Sequence, residues 1–163
     1  MQTITAMIEC PKGINYKLKY DQEKHSFKLN RVLPSGLVFP YDFGMIPGTK
    51  GEDGDPLDVI VLSEISGFPG LEMGCRIIGV LQCEQTEKNG KTLRNDRYLG
   101  VAEKSSVYAN IIDIGDLPEN MISQLEAFFK NYNEQDGKQF RILNQLDANE
   151  AMLVISDKKI KGI

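Results

Sequence analysis

The sequence predicts a mainly β, α+β fold: a small closed barrel with helices packed outside it. Three observations carry this expectation. Short runs of strand character fill the first two thirds of the chain, Pro- and Gly-containing turns separate them, and clear helical periodicity begins only after Asp116.

Residues 16–20 (Tyr-Lys-Leu-Lys-Tyr) alternate apolar and polar, the pattern of a half-buried strand. Residues 27–33 do the same, with Phe27, Leu29 and Leu33 set against Lys28, Asn30 and Pro34. The β-branched runs 58–62 and 76–82 read as buried strands, and 98–102 as a further one. Pro34-Ser35-Gly36, Pro47-Gly48 and Phe68-Pro69-Gly70 read as turns. Asp116, with Glu119 three residues on, predicts a capping box with Pro118 in the first helical turn. Met121, Ile122, Leu125, Phe128, Phe129 and Tyr132 then form one apolar stripe, which Asn133 and Gly137 end. Residues 140–143 suggest one more strand and 147–155 a short last helix.

The 163 residues suit a single domain spanning 1–163 around one core. Hydrophobic residues at 41% and charged residues at 26% exclude a disordered chain. No apolar run approaches the ~20 residues a bilayer requires, and no secretory signal is visible, so no membrane partner is expected. Cys10, Cys75 and Cys83 are odd in number and form no Cys-x-x-Cys pair, which points to free thiols and a cytoplasmic setting. A net charge of −4 argues against a nucleic-acid partner. It suits a carboxylate cluster that gathers divalent cations.

The strongest chemical signal is Glu52-Asp53-Gly54-Asp55-Pro56-Leu57-Asp58. Like charges this close are costly unless a cation sits among them. Gly54 permits a tight turn, Pro56 fixes one φ angle, and the loop runs straight into the 58–62 strand. A solvated acidic turn leaves that construction unexplained. An EF-hand fails because Leu57 and Asp58 fall where an oxygen ligand and Gly are needed. Hard oxygen donors imply magnesium, manganese or calcium. With His25 the only histidine and no Gly-x-x-x-x-Gly-Lys loop, triad, zinc and P-loop chemistry are all disfavoured. Metal-assisted chemistry on phosphate oxygens remains.

These residues resemble the signature of the soluble family I inorganic pyrophosphatases. The resemblance extends over nearly the whole chain, through Glu9-Cys10-Pro11, Lys17, Arg31, Phe39-Pro40, Gly44-Met45-Ile46-Pro47, Gly79-Val80-Leu81, Asp116-Leu117-Pro118, Phe128-Phe129 and Tyr132. It implies a five-stranded, OB-like barrel that hydrolyses inorganic pyrophosphate with magnesium ions (Mg2+). Manganese (Mn2+) would substitute and calcium (Ca2+) inhibit. A homo-oligomer, a hexamer among bacterial members, is implied too. By matching position, Asp53, Asp55 and Asp58 would be metal ligands, Asp55 would also help deprotonate the attacking water, and Glu9 would support a metal through water. Lys17, Arg31, Tyr132 and Lys138 would hold substrate.

This chain departs from the family pattern in several places. Phe43 and Asn133 replace a usual tyrosine and lysine, and Lys19 stands where an acidic residue is common. The stretch 84–97 is longer than usual, with Asn89-Gly90 as a hairpin turn. There Arg97 replaces a lysine as a substrate ligand. Gln85 falls at one expected aspartate, and Asn95 or Asp96 at the other. Glu84 or Glu87 would supply the missing carboxylate; Glu87 and Asp96 are the favoured metal ligands. The alternative function is a degraded or related phosphohydrolase that acts as a binding or partner protein.

Overall fold

The computed structural model describes residues 2–162. Five strands close into a ring: β1 (Thr3–Cys10), β4 (Asp42–Ile46), β5 (Leu57–Leu62), β8 (Arg97–Ala102) and β6 (Glu72–Thr86), which returns to β1. This is the five-stranded, OB-like barrel. All neighbours in the ring are antiparallel except β5 and β8. β7 (Thr92–Arg94) and β9 (Gln139–Asp147) extend the far half of β6. β2 (Tyr16–Asp21) and β3 (Ser26–Val32) pair only with each other. Two helices, α1 (Glu119–Glu134) and α2 (Ala148–Asp157), complete the chain.

Alternation along the strands divides the core in two. Val59 and Val61 of β5 join Ile8, Val80, Tyr98 and the α2 residues Ala151 and Ile155. Ile60 and Leu62 point the other way, to Leu81, Leu99 and the α1 residues Leu125, Phe128 and Phe129. With both faces covered, β5 reads as an unbroken apolar run rather than an alternating one. The expected α1 stripe is borne out: Met121, Leu125, Phe128, Phe129 and Tyr132 are buried.

Two expectations need correction, and two strands were not foreseen. Strand β6 is much longer than residues 76–82, and a bulge at Ile78, the extra residue opposite Leu99 and Gly100, lets it bend around the barrel. β1 and β4 carry no pattern strong enough to announce them. The capping box lies one step upstream. Asp113, not Asp116, is the cap of a 3-10 turn (Ile114–Asp116), with Asp116 reaching back to it, and α1 starts from Pro118 without a side-chain cap. Asp116 is thus the second half of a box, spent before the helix begins. The last helix does begin with a capping box, between Asp147 and Glu150.

Candidate active site

A cleft of about 550 Å³ opens between the acidic loop, the β2–β3 hairpin and the C-terminal end of α1. The acidic loop is tied at its base and turned at its tip. The buried Thr49 hydroxyl donates to the Ile46 carbonyl at 2.6 Å and accepts from the Leu57 N–H at 3.0 Å. At the tip Gly54 has φ +87, a left-handed conformation that glycine adopts at no steric cost. The Asp53 carboxylate accepts the Asp55 N–H at 3.0 Å. Pro56 then delivers the chain to β5, whose second residue is Asp58. Glu9 reaches the same cleft from β1 at a bulge: Ile8 pairs with Gly44 and Cys10 with Phe43, leaving Glu9 as the extra residue.

The facing wall is cationic. Lys17 and Lys19 alternate along β2, so they share one face, and Arg31 stands opposite Lys17 on β3. Arg31 is held three ways. It donates to the Tyr132 carbonyl at 2.9 Å, pairs with Asp136 at 3.1 Å, and lies 4.1 Å above the centre of the Tyr132 ring. Lys17 approaches the same ring at 5.8 Å. Lys138, just beyond α1, pairs with Glu87 at 3.2 Å. Asn133 is buried and its neutral amide donates to the Phe129 carbonyl at 2.8 Å, so no cation stands at this position. Phe43 packs against the rings of Phe39, Phe128 and Phe129 and lines a small pocket beside Glu9, Lys17 and Asp58, to which it brings no hydroxyl.

The β6–β7 hairpin forms the rim, and its turn at Asn89-Gly90 matches expectation. Side-chain parity decides what it contributes. Gln85, Glu87, Leu93, Asn95 and Arg97 line the cleft. Glu84 and Asp96 face elsewhere. Glu84 pairs with Arg141. Asp96 accepts the Cys83 N–H at 2.9 Å and pairs with Arg94 at 3.0 Å. The structure therefore brings Asp53, Asp55, Asp58, Glu9, Glu87, Lys17, Arg31, Tyr132, Arg97 and Lys138 together, and leaves Asp96 outside. Parity counted back from Arg97 would have selected Asn95. Asn30, Gln85 and Asp136 also line the cleft, and no motif pointed to Asn30 or Asp136.

The donors fit a hard divalent cation. Glu9, Asp53, Asp55 and Asp58 offer only carboxylate oxygen, and neither His25 nor any cysteine lines the cleft. The carboxyls of Glu9 and Asp53 are both pushed above their ordinary values, first by loss of surrounding water and further by the negative charge of Asp58. A cation would relieve both causes. Among the described residues no three of these acids converge as they stand. Asp55 is drawn to Lys19 at 2.9 Å and Asp58 to Arg97 at 2.6 Å.

Residues 6–161 match the family model described as Inorganic pyrophosphatase. The inorganic pyrophosphatase of Thermus thermophilus is 37% identical over 137 residues, covering 84% of this chain and 75% of the relative. That of Sulfolobus acidocaldarius is 33% identical over 165 residues, covering 98% and 92%. The crystal structure of inorganic pyrophosphatase from Thermus thermophilus superposes with a TM-score of 0.86 at 33% identity, over 96% of this chain and 88% of that one. A crystal structure of the Neisseria gonorrhoeae inorganic pyrophosphatase gives 0.86 at 28%, over 96% and 88%. No described helix is long and apolar enough to cross a membrane. With a matched family model over nearly its whole length and the same barrel, the chain belongs to the inorganic pyrophosphatase family.

Proposed function

We propose that the chain hydrolyses inorganic pyrophosphate to two phosphates in this cleft, with magnesium as its cofactor and manganese as a substitute. The observation that carries the reading is the opposition of two walls. Carboxylates stand on one side, and on the other stand a guanidinium and ammonium groups spaced along one strand face. Asp53, Asp55 and Asp58 would hold divalent ions, with Glu9 behind them. A bound ion supplies charge neutralisation on the phosphate oxygens and lowers the pKa of water. Arg31, Lys17, Tyr132, Arg97 and Lys138 grip the phosphate oxygens. Asp55 takes a proton from the attacking water as its oxygen bonds to one phosphorus and the bridging P–O bond breaks. Calcium would inhibit, because its longer and looser coordination misplaces the reacting groups. The family also carries the expectation of a homo-oligomer. The three cysteines are free and buried, which fits a reducing, cytoplasmic setting.

Phosphate release from pyrophosphate, with magnesium and with excess chelator, tests the reading. Release that requires magnesium supports it. Full activity in chelator overturns the metal assignment, and no release under any condition favours the partner-protein alternative.

Arg31→Lys is expected to lower kcat/KM by about 10- to 100-fold, because an ammonium cannot reproduce a two-pronged grip on phosphate. The planar group that now reaches the Tyr132 carbonyl, its ring and Asp136 together would be lost as well. Wild-type constants in that variant would make Arg31 a structural tie between hairpin and helix.

A further inference from the structure

Asp55 and Asp58 each already hold a cation of the protein, and the two cations are fixed very differently. Arg97 has a side chain only 10% exposed; it meets Asp58 at 2.6 Å, donates to the Asn95 carbonyl at 3.0 Å and lies 5.1 Å over the Phe129 ring. Asp58 and Arg97 are also register partners across β5 and β8, so the backbone itself holds them together. Lys19 has none of this support. Its ammonium meets Asp55 at 2.9 Å, its one ion pair among the described residues, with side chains 52% and 49% exposed. An exposed pair on flexible stems is weakly held.

A divalent ion bound by Asp55 and an ammonium 2.9 Å from the same oxygen are like charges competing for one acceptor. Of the two protein cations, Lys19 is the more weakly held and leaves at the lower cost. It sits on the same face of β2 as Lys17, so once released from Asp55 its charge stays in the cleft, on the phosphate wall.

We propose that Lys19 is a displaceable counter-cation of the acidic loop: it neutralises Asp55 until a divalent ion takes that carboxylate, and then serves as a further phosphate ligand. Metal uptake thereby frees one positive charge for the substrate. Lys19 acts on metal binding through Asp55 and is there a positioning residue. The inference rests on the pyrophosphatase reading in placing an ion at Asp55.

The test is direct titration of the intact protein, with no turnover. Mn2+ binding is followed by the electron paramagnetic resonance signal of the free ion, and inorganic phosphate binding to the Mn2+-loaded protein by calorimetry. Lys19→Gln is expected to bind Mn2+ about two- to fivefold more tightly, since it removes a competitor held by an exposed pair. It is expected to bind phosphate about two- to fivefold more weakly, since one exposed charge is lost from the wall. Lys19→Arg keeps the charge and should stay near wild type in the Mn2+ titration. Both shifts are required: an unchanged or weakened Mn2+ Kd in Lys19→Gln, or an unchanged phosphate Kd, overturns the proposal. Should the wild-type chain take up no Mn2+, the metal reading of the cleft falls and this inference with it. Uptake with unaltered constants in the variant removes the inference alone.

Discussion

Asp55→Asn is expected to lower kcat for pyrophosphate hydrolysis by about two to four orders of magnitude, the range a positioned proton acceptor supplies. The substitution keeps the shape of the side chain and removes both its charge and its ability to take a proton. The fold has little stake in that charge. Asp55 contributes to the loop through its backbone N–H, which Asp53 accepts, and through its carbonyl, which accepts from Gly51. Its ion pair with Lys19 is half exposed on both sides. Such pairs are worth at most about 1 kcal/mol, so the melting temperature should hold while the rate collapses. A kcat within about threefold of wild type would show that another group accepts the proton, because removing a general base cannot cost so little.

Gly44→Ala is expected to act in the opposite way, on the fold first. Gly44 lies in β4 opposite Ile8, and a Cβ there would collide with the backbone carbonyl of Met7 on β1. The obstacle is main chain inside the closed barrel, so no rotamer change can relieve it. The cost should be about 3 kcal/mol or more, beyond the usual range for overpacking by a methyl group, because two strands of the ring must separate. That amounts to at least about a hundredfold in the folding equilibrium. Denaturant unfolding of the variant measures it directly. The same shift would move Glu9, which leaves β1 one residue past Ile8 at the bulge. A stability loss under about 1 kcal/mol, well below what overpacking costs, would mean that β1 and β4 are not so closely apposed.

Gly44 also explains part of what the sequence conceals. A strand containing glycine looks weak by propensity, yet here glycine is what allows β4 to lie against β1. β1 is hidden for another reason: Ala6, Met7 and Ile8 are buried in succession, so no alternation marks the strand. β5 and β8, rich in β-branched and large apolar residues, are legible directly. At the site, the acidic loop is legible because its chemistry and its turn residues are adjacent in sequence. The rim is not. Asp96 looked like a ligand by residue type, but it lies on the opposite face from Arg97, and Arg94 claims it from two residues away. Carboxylate identity pointed one way and strand parity the other, and parity prevails because the backbone fixes direction before the side chain can choose a partner. Lys19 shows the converse. It stood out as a departure in type, and only the folding of β2 across the loop shows that it reaches Asp55.

The β2–β3 hairpin forms a sheet of its own, with no partner strand on either outer edge among the described residues. It is fastened to the barrel and α1 largely by side chains, among them Glu9, which accepts the Tyr20 N–H at 2.8 Å, Cys10, whose sulfur meets the Leu18 backbone, and Arg31 at Tyr132 and Asp136. A segment of that kind can open locally as a cooperative unit while the barrel stays folded. Lys17, Lys19 and Arg31 would depart together in such an opening, so most of the cationic wall exists only when the hairpin is docked, and of that wall Lys138 alone would remain. A phosphate-bearing ligand that bridges this wall to the acidic loop stabilises the docked state in proportion to the logarithm of its concentration. Local opening of the hairpin and release of such a ligand would then lie along one coordinate, with the ligand as the fastening that a third strand would otherwise provide.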